Sequence, residues 1–138
     1  MKTLIATLVG LALTASHAPA QPKTDGPLEL YKKYVEVLAK ATSLDELLPY
    51  YTKELREGLG KMPSEMKGNY LKMNKRVLKD LKVTKETVGA DKAVFEMTAT
   101  ADGQLSYGKV TLVKEEGSWR LDDDAWATSM TPKRDARP

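Results

Sequence analysis

An Asp-Gly pair at positions 102 and 103, set between two runs of alternating character, constrains this chain more than any other feature. A two-residue hairpin turn puts both central residues at positive φ, which Asp-Gly tolerates and few pairs do. Ala93–Ala101 therefore reads as one strand and Gln104–Glu115 as its antiparallel partner. A second tight turn at Glu116-Gly117 returns Ser118–Asp122 as a third strand, and the stretch closes at Trp126.

The first turn dictates a register. Ala101 faces Gln104, Ala99 faces Ser106, Met97 faces Gly108, Phe95 faces Val110 and Ala93 faces Leu112. Side chains alternate with period two, so these pairs share one face, and it is mostly apolar. The other face sets Thr98 against Tyr107, Glu96 against Lys109 and Val94 against Thr111. Glu96–Lys109 is an opposite-charge cross-strand pair, worth roughly 0.2–1 kcal/mol. The second turn continues the pattern, with Leu112 against Leu121, Val113 against Arg120, and Trp119 on the apolar face. Gly108 opposite Met97 leaves room on that face for a bend or a ligand.

Upstream, Met1–Ala20 reads as a secretory leader: Lys2, an apolar run over Leu4–Leu13, and a small-x-small cleavage pattern at Ala18-Pro19-Ala20. That run is about ten residues, short of the ~20 a membrane helix needs. The expectation is export by a cleavable signal peptide to the periplasm or medium, as a soluble protein. Cutting after Ala20 also removes His17, the only histidine, and the chain has no cysteine. Zinc sites built on Cys or His, Ser-His-Asp triads and Cys-His pairs are thereby excluded from the mature chain. No cofactor is implied. Carboxylate, Tyr, Lys and Ser remain for chemistry.

Residues 21–26 form a short polar lead, and Pro27 opens a helix where its missing N–H costs nothing. Leu30, Tyr31, Tyr34, Val37, Leu38 and Ala41 give it an apolar face at helical spacing. Ser43 and Glu46 form a capping box for a brief element that Pro49 ends. Thr52 caps Lys53–Leu59, and Ser64 caps a third helix running to about Leu81. Along that helix Met66, Tyr70, Met73, Val77 and Leu81 make an apolar stripe, with Lys72, Lys75, Arg76 and Lys79 on the opposite arc. Leu81–Val88 reads as a first strand whose register stays open, because Val83 and Val88 fall on different parities. One domain over residues 27–127 and a disordered basic tail over 128–138 complete the division.

Charge is uneven. Lys67–Lys85 holds seven basic residues against Asp80 alone, whereas Glu86–Trp126 holds four basic and nine acidic. The basic arc of Lys72, Lys75, Arg76 and Lys79 is thus a candidate site for an anionic envelope surface or an acidic partner. Nucleic acid is an unsuitable partner, since no aromatic residues interleave the lysines and export removes it. Asp122-Asp123-Asp124 lacks the alternate spacing and turn glycine of a calcium loop, so no metal site is expected. It reads as a polar strand end. No Asp or Glu falls on the apolar face in this reading, so no catalytic residue is named.

Two segments, Gly89-Ala90-Asp91-Lys92-Ala93-Val94-Phe95 and Gly108–Leu121 with its Gly117-Ser118-Trp119-Arg120-Leu121 return, resemble small exported bacterial proteins of the nuclear-transport-factor-2-like superfamily. The resemblance spans roughly Pro27–Trp126. It implies a cystatin-like α+β roll, with N-terminal helices on a curved antiparallel sheet of about four strands, cone-like and hollow. Tyr31, Tyr34, Tyr70, Met97 and Trp119 would line the cone. The superfamily holds isomerases, dehydratases and cyclases as well as binding domains, so fold does not imply function. Its Asp–His chemistry is impossible here without histidine.

The leading expectation is a non-catalytic module that binds a small apolar ligand or an envelope protein, with a homodimer through the sheet as a further contact. The alternatives are a small isomerase- or hydrolase-type enzyme using Tyr and a carboxylate, or an inhibitor of a secreted partner.

Overall fold

The structure, a computed structural model, describes residues 26–128. The leader, most of the polar lead and the basic tail lie outside the described residues. In order come helix α1 (Pro27–Lys40), two 3-10 turns (Leu44–Glu46 and Leu48–Tyr50), α2 (Lys53–Gly60) and α3 (Ser64–Asn74). Four strands follow: β1 (Lys79–Val88), β2 (Lys92–Ala101), β3 (Gln104–Glu115) and β4 (Ser118–Ala127). They form one antiparallel meander in the order β1-β2-β3-β4, with the helices packed against it. The domain is α+β, and the sheet is not strongly curled.

Both hairpins follow from their turn residues. Asp102 and Gly103 take φ of 50° and 74°, and Glu116 and Gly117 take 49° and 79°, the all-positive turn that matches strand twist. From Lys92 against Val113 to Ala101 against Gln104 the β2–β3 ladder is unbroken, in the register the sequence predicts. Phe95, Met97, Val110 and Leu112 are buried on its inner face. Over them lie Tyr31, Tyr34 and Leu38 of α1, with Leu44, Leu47 and Tyr51 from the turns. The capping box at Ser43 and Glu46 is formed, and Pro49 sits within the second 3-10 turn.

Three elements depart from the sequence reading. α3 ends at Asn74 instead of near Leu81, and Pro63, not Ser64, is its N-cap. The apolar stripe therefore does not form: Met66, Met73 and Val77 are exposed. Lys72, Lys75, Arg76 and Lys79 do not share a helix face, because Lys75 caps α3, Arg76 follows it in extended chain and Lys79 opens β1. The ammonium of Lys75 donates to the Ala41 carbonyl at 2.8 Å, which fastens the end of α3 to the end of α1.

β1 starts two residues early and is irregular twice, between Lys79 and Lys82 and between Val83 and Lys85. The second irregularity restores a common parity, with Val83 opposite Met97 and Val88 opposite Ala93. Both valines remain exposed, since the helices do not reach over this edge.

β4 does not stop at Asp122. It runs on to Ala127, interrupted by a bulge between Thr111 and Leu112 of its partner. Leu121 faces Leu112 and Asp123 faces Thr111, so Asp122 is the extra residue. One unpaired residue exchanges the faces of everything after it. Asp124 now faces Val110 and Trp126 faces Gly108, both on the inner side.

Candidate functional site

The bulge brings a carboxylate into an aromatic layer. Asp124 has a side chain 9% exposed, and its Oδ1 accepts from the Tyr31 hydroxyl at 3.2 Å. Its Oδ2 accepts from the Arg76 guanidinium at 2.7 Å, forming an ion pair whose arginine is 23% exposed. Trp126 Nε1 donates to the Tyr31 oxygen at 2.9 Å. Tyr31 thus accepts from one β4 side chain and donates to another two residues away.

Beside this cluster the hydroxyls of Tyr34 and Tyr51 meet at 2.9 Å. Their rings meet edge to face, and the rings of Tyr31 and Tyr50 each lie tilted 5.9 Å from that of Tyr34. Tyr51 is placed by a single bridge to Leu121 and by the Thr52 N–H donating to the Leu121 carbonyl at 3.1 Å. The helical layer is in this way tied to β4 immediately before its bulge.

Trp126 owes its position to a glycine. A Cβ at Gly108 would overlap the six-membered ring of the indole, so only glycine leaves the indole its seat on β3. The space that Gly108 opens in the sheet's inner face is filled by Trp126.

Burial dominates the electrostatics. It pushes all three phenols above the ordinary tyrosine range, and Tyr51 reaches about 12. They stay protonated at neutral pH and act as hydrogen-bond donors. Burial also raises Asp124, while Arg76 and the hydrogen bond from Tyr31 pull it back toward the ionised form.

A cavity of about 130 Å³ opens between these groups, lined by Tyr34, Tyr51, Leu55, Tyr70, Asn74, Arg76, Leu121 and the three aspartates. It is smaller than the ~300–1,000 Å³ typical of drug-sized ligands. Tyr34 and Tyr70 line it, and Tyr31 meets it through Asp124. Met97 and Trp119 do not line it: both are buried in the core away from it. Arg76 belongs to this cluster and not to a basic surface. Asp124, Trp126 and Tyr51 are the site residues that the sequence reading leaves out of its candidate set.

Among the described residues no group of three His, Cys, Asp or Glu side chains is placed to hold a metal ion. Among the same residues no helix is long and apolar enough to cross a membrane.

No family model and no curated protein matches this chain. Among solved structures it is similar to the solution structure of a SEC-C motif containing protein from Rhodopseudomonas palustris. The two share 15% sequence identity and a TM-score of 0.53, over 72% of this chain and 77% of that one. At that identity the likeness concerns the fold alone.

Proposed function

We propose that this domain is a small acid–base enzyme of the isomerase type, using a carboxylate and tyrosine hydroxyls on a small molecule. The supporting observation is the burial of Asp124 beside the Tyr31 hydroxyl at the wall of a cavity. Burial makes the Asp124 carboxylate a stronger base than one in water, and Arg76 acts in the opposite direction by favouring its ionised form. In the proposed step Asp124 takes a proton from a carbon next to a carbonyl. The C–H pair becomes the new C=C bond, and the carbonyl pair moves onto oxygen, where a phenol hydrogen bond stabilises it. Where the substrate also carries a C=C bond at its β and γ carbons, the resulting dienolate takes the proton back at the γ carbon, and the double bond moves into conjugation with no added reactant. This chemistry fits the inventory better than hydrolysis, for which the cluster supplies no activated nucleophile.

Deuterium exchange into small enolisable ketones in D2O, followed by proton NMR, tests the proposal. The expected result is exchange faster than buffer, lowered at least about 100-fold by Asp124→Asn, within the usual range for a general base. Ketone binding without exchange would leave a binding module instead.

The nuclear-transport-factor-2-like relationship and its cone-like roll are part of the same proposal, as is export after cleavage at Ala20. A mature protein whose N-terminus is not Gln21 would count against the predicted cut.

A further inference from the structure

The Tyr34–Tyr51 pair has a hydrogen left over. Two phenols carry two O–H hydrogens, and one hydrogen bond between them uses a single one, whichever ring donates. Both rings line the cavity, so the unused hydrogen is available there.

The other groups around the cavity tilt the same way. Asn74 gives one amide hydrogen to the Tyr70 carbonyl at 2.8 Å and keeps a second. Arg76 Nε is sealed from solvent and has no acceptor. On the acceptor side, the two oxygens of Asp124 are each engaged once, by Tyr31 and by Arg76, and each keeps a lone pair. The phenol pair and Asn74 therefore each have a hydrogen left to give, while the spare acceptor capacity lies with the carboxylates, above all the exposed Asp122 and Asp123.

Charge narrows the choice further. The guanidinium of Arg76 is balanced by Asp124, and Asp122 and Asp123 also border the cavity, so an anion finds no free positive charge. A cation would be drawn to the exposed Asp122 and Asp123, whereas the hydrogen left on the phenol pair calls for an acceptor. We infer that the Tyr34–Tyr51 pair recognises an acceptor oxygen, and that the cavity takes the carbonyl or amide end of a small uncharged molecule. This rests on the small-molecule site proposed above and names the class of its ligand. The volume agrees: at ~30 Å³ per water the cavity holds about four waters, enough for one functional group and a few carbons.

NMR titration of the folded protein with cyclopentanone tests this, using methylenecyclopentane, cyclopentylammonium and propanoate for comparison. Methylenecyclopentane has the ketone's shape without its oxygen. Wild type is expected to bind the ketone at least tenfold more tightly than any of the other three. Tyr34→Phe and Tyr51→Phe should each cost less than about threefold, because the remaining hydroxyl still has a hydrogen to give. The double variant should lose at least tenfold. Its unfolding midpoint should stay near wild type, since replacing both partners of a buried hydrogen bond by apolar groups of the same shape is nearly neutral.

Absence of ketone binding, equal or tighter binding of the alkene or of either ion, or a folded double variant that binds like wild type would each overturn the inference. If the double variant does not fold, the ketone–alkene comparison on wild type decides. The two proposals also separate. Ketone binding without deuterium exchange defeats the acid–base reading alone. Exchange that needs Asp124 but ignores the double substitution defeats this one alone.

Discussion

The β2–β3 and β3–β4 pairs of this sheet are built on the same kind of turn and end up with different duties. β2 and β3 pair without interruption, and their inner face is a dry wall of Phe95, Met97, Val110 and Leu112. β3 and β4 pair just as regularly for a few residues beyond the Glu116-Gly117 turn, then admit one extra residue at Asp122. Past that point an acidic side chain and a tryptophan face inward. The regular ladder supplies a surface on which helices rest, and the interrupted one supplies the polar groups. A single unpaired residue makes that difference, because strand parity has only two values.

Removing the charge partner on the interrupted side should produce the largest effect. Arg76→Ala leaves Asp124 without its cation, and with both side chains partly shielded a loss of about 3 kcal/mol is expected near neutral pH. The sign with pH follows from Asp124. Burial raises its pKa, and removing Arg76 raises it further, so the variant's deficit shrinks as pH falls and the carboxyl takes up a proton. Urea unfolding of both proteins at several pH values measures this. A deficit independent of pH would mean that Arg76 acts through packing and not through Asp124.

Next comes the seat of the indole. Gly108→Ala should displace Trp126 and cost about 1–3 kcal/mol, the range for overpacking a filled site. Loss or a large shift of the Trp126 indole N–H resonance is the accompanying sign. An unmoved resonance would show that the strand, and not the ring, gives way.

The smallest change is expected on the outer side of the uninterrupted pair. Lys109→Ala removes a side chain that stands opposite Glu96 in the ladder without an ion pair to it, so the loss should be at most roughly 0.2–1 kcal/mol and the indole resonance should stay in place. A larger loss would erase the contrast between the two ladders.

How much of this could be read from residues alone divides along the same line. The β2–β3 register is dictated by Asp102-Gly103 and by an alternation that only one pairing satisfies. It needs nothing from afar. The end of α3 is different. Tyr70, Met73 and Val77 keep helical spacing past Asn74, but the chain leaves the helix there and Arg76 instead reaches Asp124, 48 residues on. The bulge is equally non-local. Read without it, the chain puts Asp123 on the inner face and Trp126 on the outer. What favours the bulged alternative is the fit of Trp126 over Gly108 and the polar partners waiting at Tyr31 and Arg76. One signal was present: a glycine in an otherwise well-filled β3, with a large aromatic one skipped residue away from facing it.

The partners of this cluster come from opposite ends of the folded chain. Tyr31 lies in the first helix, while Asp124 and Trp126 lie in the last strand, 93 and 95 residues away. Closing a loop costs about 0.6 kcal/mol more for each doubling of its length, so joining these ends costs several times that beyond a two-residue turn. Each hairpin can close on its own residues, but the Tyr31–Asp124 hydrogen bond requires the helices and the sheet to be assembled together. No segment that lacks either α1 or β4 can carry the site. Whatever loosens the packing of α1 on β4 is registered at Tyr31.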